Sequence, residues 1–520
     1  MAPYPKYPLG IQTFSEIIEN QLLYVDKTAV IHDLVYAGKV YFLSRPRRFG
    51  KSLLISTLDA LFSGRKDLFD GLAITDTDYD FATYPVIRMD FSGGRFVTAD
   101  ELEKYVSSTL DDYAHNYGVE LVKDGFALRF KELMVKLHEK TGQKVVLLVD
   151  EYDKPILNNL KKPAVLEEIK AVMSAFYAMV KAQDEHLRFV FITGVSKFAK
   201  VSVFSGMNSL EDISLDRAYA TLCGITQQEL EHYFTQAIDQ LVIEEQLDRP
   251  TVLAQVKHWY NGYQFHPRAV SVYNPFSLLS LFKRKEFKNY WYSTATPTFL
   301  LDLLQNKQYD LASMGRLEVS ESAFTSTEPE DMDVLSLFVQ TGYLTIKGYR
   351  NGRYTLDFPN YEVKSSFFES VATRYSRLEK GLGDIYIYDL VDYLNAGKLD
   401  DFFKTLKVFF ANIPYELAVD REKYYQSLFY AIITMIGLSV DAEVSTNQGR
   451  IDCVLQTADT IYIIEFKLNG TKEEALKQIE DKQYAQKYLR SNKAIVLLGV
   501  EFDQKSRNIG DYLLHHLVVA

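Results

Sequence analysis

The stretch KVYFLS-RPRRFGKS-LLISTLDALF, residues 39–62, decides the fold of the N-terminal half of the chain. Its short apolar beginning predicts a buried strand, and the apolar residues after Ser52 recur with helical spacing. Between these two runs, residues 45–52 match the phosphate-binding pattern G-x-x-x-x-G-K-[ST] everywhere except at the first position, where Arg45 replaces glycine. Strand, loop and helix in this order predict a nucleotide-binding P-loop.

The residues of this loop suit phosphate chemistry. Successive backbone N–H groups ahead of a helix bind phosphate oxygens. Gly50 permits close approach, Lys51 is placed to reach the β- and γ-phosphates, and Ser52 offers a hydroxyl to Mg²⁺. We expect the whole loop to form the nucleotide site, namely Arg45, Pro46, Arg47, Arg48, Phe49, Gly50, Lys51 and Ser52. The alternative is a basic turn before a helix, with the two central arginines facing nucleotide, nucleic acid or only solvent.

An acidic motif further along the chain complements the loop. The aliphatic run VVLLV (145–149) ends at Asp150 and Glu151, and such a run is typical of a strand covered on both faces. We expect Asp150 to bind the magnesium ion and Glu151 to polarise the attacking water. Thr193 ends the next predicted strand, where a γ-phosphate sensor would lie. The alternative is a buried strand that ends in a solvated acidic turn.

The pattern around these motifs predicts an α/β fold with a mostly parallel sheet, because strand candidates alternate with helical stretches. The strand candidates are 39–44, 85–91, 144–150, 188–193 and a shorter one at 219–223. Residues 226–260 read as helices that begin at the N-cap Thr226. We expect an ATPase domain at 1–225 and a helical extension at 226–330.

A hairpin signal marks the middle of the chain. Asn351-Gly352 separates two alternating runs, and this dipeptide favours a two-residue turn. Residues 334–341 before the hairpin have a helical pattern, and a helix should follow it. Helix, hairpin and helix predict a winged-helix-like module at 331–400.

The C-terminal residues 401–520 predict a second α/β domain. The expected order is helix, three strands, helix and strand, at 421–436, 440–446, 450–456, 460–467, 471–490 and 493–499. Strand alternation places Glu465 and Lys467 on one face, in line with Ile461 and Ile463. Two apolar residues followed by an acid and a base fit a face that leaves the core and enters a cleft.

Three residues of this domain have the chemistry of a phosphodiesterase. Asp452 and Glu465 are placed to share a divalent cation through their oxygens. Lys467 would then position or deprotonate the water that attacks a phosphodiester. Gln478 on the following helix and Glu422 on the preceding one are further candidates. The alternative is an ordinary hairpin whose surface Glu–Lys pair contributes less than about 1 kcal/mol.

Several motifs taken together resemble one known family. They are YPLGIQTF (7–14), YVDKT (24–28), SRPRRFGKS (44–52), VDEYDKP (149–155), TGVSKF (193–198), WYNGYQF (259–265) and VYNPFS (272–277). Over about residues 1–300 the chain resembles the AAA-ATPase-like family, which is common in bacteria of the Bacteroides type. The resemblance implies a P-loop ATPase with ATP and Mg²⁺ as cofactors and a catalytic glutamate beside the Walker-B aspartate. An arginine at the first P-loop position is usual in that family.

The pattern D-x₁₂-E-x-K, formed by Asp452, Glu465 and Lys467, resembles the core of the PD-(D/E)XK nuclease superfamily, in a form similar to archaeal Holliday-junction resolvases. A nuclease-like domain of this kind often follows the ATPase domain of that family. The resemblance implies metal-dependent action on nucleic acid.

Composition excludes several other classes of protein. Hydrophobic residues make up 47% of the chain and charged residues 24%, which excludes extensive disorder. The net charge of -11 excludes a basic protein that coats nucleic acid. Cys223 and Cys453 are too few for a disulfide scaffold or a cysteine-rich zinc site. With no apolar run of roughly 18–20 residues and no signal-like N-terminus, we expect no membrane contact and a cytoplasmic location.

The sequence thus predicts an ATP-binding and ATP-hydrolysing protein coupled to a magnesium-dependent nuclease, with DNA favoured as the nucleic acid. The alternative is a nucleotide-switched nucleic-acid-binding or signalling ATPase whose nuclease-like domain does not cut. The motifs are also compatible with a homo-oligomer.

Overall fold

The computed structural model describes residues 6–197, 200–291, 317–325, 334–376, 389–390, 392–411, 429, 432, 439–445, 450–457, 459–468, 470–503, 505–506 and 508–517. The chain divides into two compact units. The first comprises Met1–Trp291 and Glu318–Asn360, and the second comprises Tyr292–Leu317 and Tyr361–Ala520. Within the described residues, no helix combines the length and the apolarity that crossing a membrane requires.

A five-stranded parallel sheet forms the centre of the first unit. Its strands are β1 Val40–Ser44, β2 Val86–Asp90, β3 Val145–Asp150, β4 Leu187–Gly194 and β5 Glu211–Asp212, in the order β2-β3-β4-β1-β5. Every residue of β1 and β3 is buried, as the aliphatic runs predicted. Because β4 lies between β1 and β3, the ends of all three strands meet at one edge of the sheet. The P-loop, Asp150 and Thr193 lie at that edge.

The fifth strand is not where the sequence predicted it. Residues 219–223 form turns, whereas Glu211–Asp212 pairs with Tyr41 and Phe42 of β1. The carbonyl of Tyr219 accepts a hydrogen bond from the Arg45 guanidinium at 3.1 Å. The prediction of a strand at 219–223 was therefore wrong. It used only the β-propensity of these residues, which does not reveal that the Arg45 side chain binds the backbone here.

Helices cover the sheet and form an extension beside it. The helices of the first unit are α1 Phe14–Glu19, α2 Thr28–Ala37, α3 Lys51–Phe62, α4 Ala99–Asn116, α5 Phe126–Thr141, α6 Lys154–Asn159, α7 Pro163–Ala182, α8 Lys200–Val203, α9 Gln227–Tyr233, α10 Thr235–Glu245, α11 Arg249–Tyr260, α12 Pro275–Arg284, α13 Ser322–Thr325 and α14 Val334–Thr341. The predicted N-cap Thr226 is confirmed, since it forms a reciprocal capping box with Glu229. Helices α9 to α12 enclose their own apolar core, to which Leu230, Phe234 and Tyr260 belong.

The predicted hairpin is confirmed as part of the first unit. Strands β9 Thr345–Arg350 and β10 Arg353–Asp357 pair on either side of Asn351 and Gly352, which both have positive φ angles (52° and 79°). A third strand, β8 Leu317–Val319, pairs with β10 and was not predicted, and β6 Ile225–Thr226 pairs separately with β7 Val272–Tyr273. The helix after the hairpin begins at Tyr361 and belongs to the second unit, so the units divide the predicted 331–400 module at residue 360.

The second unit contains a mixed five-stranded sheet. Its strands are β11 Ser439–Ser445, β12 Arg450–Gln456, β13 Thr460–Leu468, β14 Ala494–Asp503 and β15 Asn508–Leu517, in sequential order, with only β13 and β14 parallel. The described helices are α15 Tyr361–Ser376, α16 Leu399–Ala411 and α17 Lys472–Asp481. The four predicted strands are confirmed, whereas β15 was missed.

The helix predicted at 471–490 is shorter than expected. It ends at Asp481, because Gln483 takes a left-handed conformation (φ 49°) and residues Tyr484–Tyr488 form a 3₁₀ turn. The helix predicted at 421–436 lies outside the described residues except at positions 429 and 432, and so does the candidate Glu422.

Candidate functional site

The P-loop has the backbone shape that phosphate binding needs. Gly50 has a φ of 90° and directly precedes α3, and Arg48 also has a positive φ of 64°. No atom lies within 4 Å of a Cβ built on Gly50, so the backbone conformation rather than crowding favours glycine there. The loop therefore curls ahead of a helix N-terminus, as the motif predicted.

Lys51 lies across its own loop. Its buried ammonium group donates hydrogen bonds to the carbonyl oxygens of Arg45 (3.0 Å) and Pro46 (3.1 Å). Burial lowers the pKa of Lys51, and the nearby charges of Asp150 and Glu151 counter this shift. The ammonium is thus held inside the loop, beside the acidic end of β3.

The Arg45 side chain is buried and holds neighbouring backbone segments together. Its guanidinium, 1% exposed, donates to the carbonyl oxygens of Ser44 (2.9 Å), Ser214 (2.8 Å) and Tyr219 (3.1 Å). Its backbone N–H donates to Gly194. Burial lowers the pKa of this guanidinium to about 10. The side chain anchors β1 to the chain that follows β5, and the place of Arg45 in the nucleotide site stays a prediction.

Aromatic side chains from residues 263–276 pack against the outside of the P-loop. The Phe49 ring lies 4.8 Å from the Tyr263 ring and 5.4 Å from the Phe265 ring. The Arg45 guanidinium lies 3.9 Å above Phe265, and Arg48 lies 5.0 Å from the Phe276 ring. These contacts explain why the WYNGYQF and VYNPFS motifs accompany the P-loop. They join residues more than 200 positions apart, which no local periodicity can reveal.

Asp150 and Thr193 meet at the edge of the sheet. The Thr193 hydroxyl donates a hydrogen bond of 2.7 Å to Oδ1 of the buried Asp150, and the same oxygen accepts the Glu151 N–H at 3.0 Å. A carboxylate held in this way is oriented for a cation. Thr193, which was expected to sense the γ-phosphate, thus lies against the expected metal ligand.

Glu151 has an unusual backbone and an unusual environment. Its φ of 50° is rare for a residue with a side chain and costs about 1–2 kcal/mol. Burial raises the pKa of its carboxyl group, Asp153 and Asp150 raise it further, and Lys51 opposes the shift. Backbone strain and a raised carboxyl pKa are both typical of catalytic positions.

Asp153, two residues further on, fixes the turn after β4. Its carboxylate accepts hydrogen bonds from the N–H groups of Val195 and Ser196 and from the Ser196 hydroxyl, at 2.7–3.3 Å. These contacts give Asp153 a structural role in this turn.

An apolar pocket of about 100 Å³ opens beside the P-loop. Its walls include Leu23, Val25, Gly50, Leu53 and Ile225. Lys27 also lines it, held by Glu229 of α9 at 2.6 and 2.7 Å. The pocket thus lies between the N-terminal segment, the start of α3 and the helical extension.

The second candidate site lies where β12 and β13 diverge. Regular pairing of the two strands runs from Gln456 and Ile461 to Cys453 and Ile464. At the next position, side-chain oxygens accept the backbone hydrogen bonds. Oδ2 of Asp452 accepts the N–H of Phe466 at 2.9 Å, and Oε2 of Glu465 accepts the N–H of Asp452 at 3.4 Å. The two carboxylates are therefore neighbours on adjacent strands, and Glu465 is only 2% exposed.

Gln478 joins the other two members of this site. The Lys467 ammonium donates to the amide oxygen of Gln478 at 2.7 Å, and the amide nitrogen of Gln478 donates to Oε1 of Glu465. The structure thus brings together Asp452, Glu465, Lys467 and Gln478. Helix α17 provides Gln478, and its capping box at Thr471 and Glu474 fixes where it begins.

Both sites have donors that suit a magnesium ion. Mg²⁺ is usually bound by one or two carboxylates together with waters and substrate phosphates. Asp452 and Glu465 form such a pair, and Asp150 at the end of β3 provides a carboxylate across the sheet edge from the loop that carries Ser52. Among the residues that the structure describes, no group of three His, Cys, Asp or Glu side chains forms a complete metal cage.

Known proteins resemble the chain over both regions. Residues 8–204 match the family described as Predicted AAA-ATPase, and residues 420–512 match the PD-(D/E)XK nuclease superfamily. An uncharacterized protein in the vnfD 5′ region of Azotobacter chroococcum mcd 1 is 39% identical over 529 residues, which cover 98% of this chain and 99% of that protein. The similarity thus extends through the P-loop, the helical extension and the C-terminal sheet.

Proposed function

The chain belongs to the predicted AAA-ATPase family and has a C-terminal domain of the PD-(D/E)XK nuclease superfamily, and from this we propose that it hydrolyses ATP and cuts nucleic acid. The observation that carries the proposal is that Asp452 lies beside Glu465 while Gln478 joins Glu465 to Lys467, in a chain that also has a P-loop. DNA is the favoured substrate.

In the ATPase site each residue has a separate task. Lys51, held here by the loop carbonyl oxygens, would bind the β- and γ-phosphates, and Ser52 with Asp150 would hold a magnesium ion. Glu151 orients the attacking water and accepts its proton, which its raised pKa favours. Thr193 keeps Asp150 in place. The apolar pocket beside Gly50 is suited to the nucleotide base.

In the nuclease site Asp452 and Glu465 would hold a divalent cation, which would stabilise the negative charge that develops on the phosphate. Lys467 positions the attacking water. Gln478 orients both Lys467 and Glu465, because its amide contacts the two side chains at once. Because the two sites belong to one chain, the proposal includes a coupling between them, in which cutting depends on ATP.

A panel of duplex, single-stranded and branched DNA and of RNA, incubated with Mg²⁺ or Mn²⁺, tests the nuclease. Asp452→Ala and Glu465→Ala should abolish cutting while nucleic-acid binding persists. Asp481→Ala, which removes an exposed carboxylate from the end of α17, is the matched control and should cut normally. Cutting that survives both site variants would refute the assignment.

The ATPase is tested separately. Lys51→Ala should abolish ATP binding, whereas Glu151→Gln should bind ATP and fail to hydrolyse it. Lys131→Ala, an exposed lysine on α5, is the control. If cutting is equally fast with and without ATP, and in Lys51→Ala, the two activities are not coupled.

One observation favours a second function, a nucleotide-switched protein that binds nucleic acid without cutting it. Gln478 contacts both Glu465 and Lys467, so a metal ion and a water must compete with this closed network. Under this alternative the wild type binds nucleic acid but cuts nothing with either metal, and Asp452→Ala leaves the affinity unchanged.

A further inference from the structure

The β9–β10 hairpin of the first unit carries a cluster of like charges. Residues 345–357 include three cationic side chains and one carboxylate, in a chain of net charge -11. One cation, Lys347, is used inside the fold, where it donates to the carbonyl oxygens of Gly262 (3.0 Å) and Pro359 (2.8 Å). Arg350 and Arg353 are left at the exposed end of the hairpin.

These two arginines lie directly opposite each other. The register pairs Arg350 with Arg353 as the last residues before the Asn351-Gly352 turn. Like charges at directly opposed positions destabilise a strand pair. Arg353 lies 3.8 Å from Glu318, and both of these side chains are more than 60% exposed. Among the ion pairs of the described residues none involves Arg350, so of the two arginines Arg353 alone has a carboxylate nearby there.

An aromatic pair lies next to the arginines. Tyr349 faces Tyr354 across the hairpin, with ring centroids 4.7 Å apart, and Tyr349 is 51% exposed. By contrast Ile346 and Leu356, nearer the base of the hairpin, are buried. The hairpin therefore has an apolar base and an end that presents guanidinium groups and an exposed aromatic ring.

We propose that the hairpin end, defined as residues Tyr349–Tyr354, binds the phosphodiester backbone of a nucleic acid, with Arg350 and Arg353 on phosphates and Tyr349 against a base or sugar. The two guanidinium groups match phosphate geometry, and the adjacent ring matches the stacking surface that single-strand binders use. This inference rests on the proposed function, since it names a contact for the nucleic acid that the second unit would cut.

The base of the hairpin is attached to the P-loop side of the same unit. A Cβ added to Gly342, which precedes β9, would lie 2.7 Å from the Pro46 side chain. The Thr345 hydroxyl bonds with the backbone of Gln264 at 2.8 and 3.0 Å. The base of the hairpin is thus fixed beside the nucleotide loop, while its end stays exposed.

The test is fluorescence anisotropy with a labelled 20-nucleotide single strand and a 20-base-pair duplex, using full-length Asp452→Ala protein so that the probe is not cut. Arg350→Gln/Arg353→Gln should weaken binding at least tenfold at about 0.15 M salt. The slope of log affinity against log salt concentration, here called the salt slope, should also become less steep. Two lost phosphate contacts correspond to about 1.4 for the single strand or about 1.8 for the duplex. Tyr349→Ala should weaken single-strand binding and leave the slope unchanged.

Two controls separate this contact from general effects. Arg350→Lys/Arg353→Lys keeps the charges and should keep the slope, whereas Lys131→Gln/Lys257→Gln removes two exposed cations elsewhere and should bind normally. The glutamine pair should unfold at the wild-type temperature or above it, because a like-charge repulsion is removed.

If Arg350→Gln/Arg353→Gln binds nucleic acid with the wild-type affinity and salt dependence, the hairpin contact is wrong. The proposed function would still stand if the wild type cuts nucleic acid. If polyglutamate binds through these arginines and neither DNA nor RNA does, the hairpin end binds an acidic protein instead, and the proposal is wrong. Failure of the wild type to bind or cut any nucleic acid would overturn both.

Discussion

The Thr193 hydroxyl donates a 2.7 Å hydrogen bond to Asp150 on the neighbouring strand, and both residues are fully buried. The bond exists because β4 lies between the P-loop strand and the acidic strand. It fixes one oxygen of the expected magnesium ligand in the nucleotide site, so the orientation of Asp150 depends on a residue of another strand.

Thr193→Val should therefore lower kcat for ATP about tenfold or more. A hydrogen bond to a charged group contributes about 1.5–3 kcal/mol, and each 1.36 kcal/mol corresponds to a factor of ten in rate. Steady-state ATPase kinetics over a Mg²⁺ titration measure this effect. Thr193→Ser keeps the hydroxyl and should retain most of the activity, whereas equal losses in both variants would assign the effect to packing.

Arg45→Ala should destabilise the first unit by at least about 2 kcal/mol, because the buried carbonyl oxygens of Ser44 and Ser214 lose this donor, at about 1–3 kcal/mol each, while the Tyr219 carbonyl keeps the Leu222 N–H. Thermal unfolding with and without ATP provides the measurement. Arg47→Ala, an exposed arginine of the same loop, should unfold at the wild-type temperature. A variant at position 45 with normal stability and weak ATP binding would restore the direct contact that the sequence predicted.

The elements that could be predicted from the sequence are those whose pattern is local. The aliphatic run 145–149 predicted a strand buried on both faces, and Asn351-Gly352 predicted a hairpin. In the second unit, alternation placed Glu465 and Lys467 on one face, and both side chains meet Gln478 there. Each of these inferences used residues that are close together in the chain.

The features that sequence reasoning missed depend on distant partners. The part that Arg45 plays is decided by Ser214, Tyr219 and Phe265, which lie more than 160 positions away. Strand β5 has two residues, too few for any periodic pattern. The helix predicted at 471–490 ends early because Gln483 turns into a left-handed conformation, which glutamine does not signal.

Glu151→Gln should stabilise the nucleotide-free protein at neutral pH. Because burial raises the pKa of this carboxyl group, the folded state disfavours its ionised form and loses stability as the pH rises through the shifted pKa. Glutamine removes that loss. The stability gain should be present at pH 7 and vanish below the ordinary glutamate pKa of 4.5.

Urea unfolding of both proteins between pH 4 and pH 8 checks this dependence. Glu168→Gln, which changes an exposed glutamate on α7, should give a curve parallel to the wild type. A Glu151→Gln gain that grows toward acid would have the opposite sign and would mean that the native carboxylate is stabilised by its charged neighbours.

Gly499→Ala should disturb the nuclease site without touching its polar residues. Gly499 lies beside Glu465 in the β13–β14 register, and an added Cβ would lie 2.2 Å from the Lys472 carbonyl oxygen and 2.7 Å from the Leu476 nitrogen. Both atoms belong to the backbone of α17, so the helix must move outward. Overpacking of this kind costs about 1–3 kcal/mol.

Moving α17 carries Gln478 away from Lys467 and Glu465, so cutting should fall together with stability. Gly510→Ala is the control, since its added Cβ meets at 3.1 Å only the end of the Glu501 side chain, which can rotate. Cleavage assays below the unfolding temperature of each variant separate the two effects. If Gly499→Ala cuts at the wild-type rate while folded, the position of Gln478 is not required for the reaction, and Lys467 and the two carboxylates act without it.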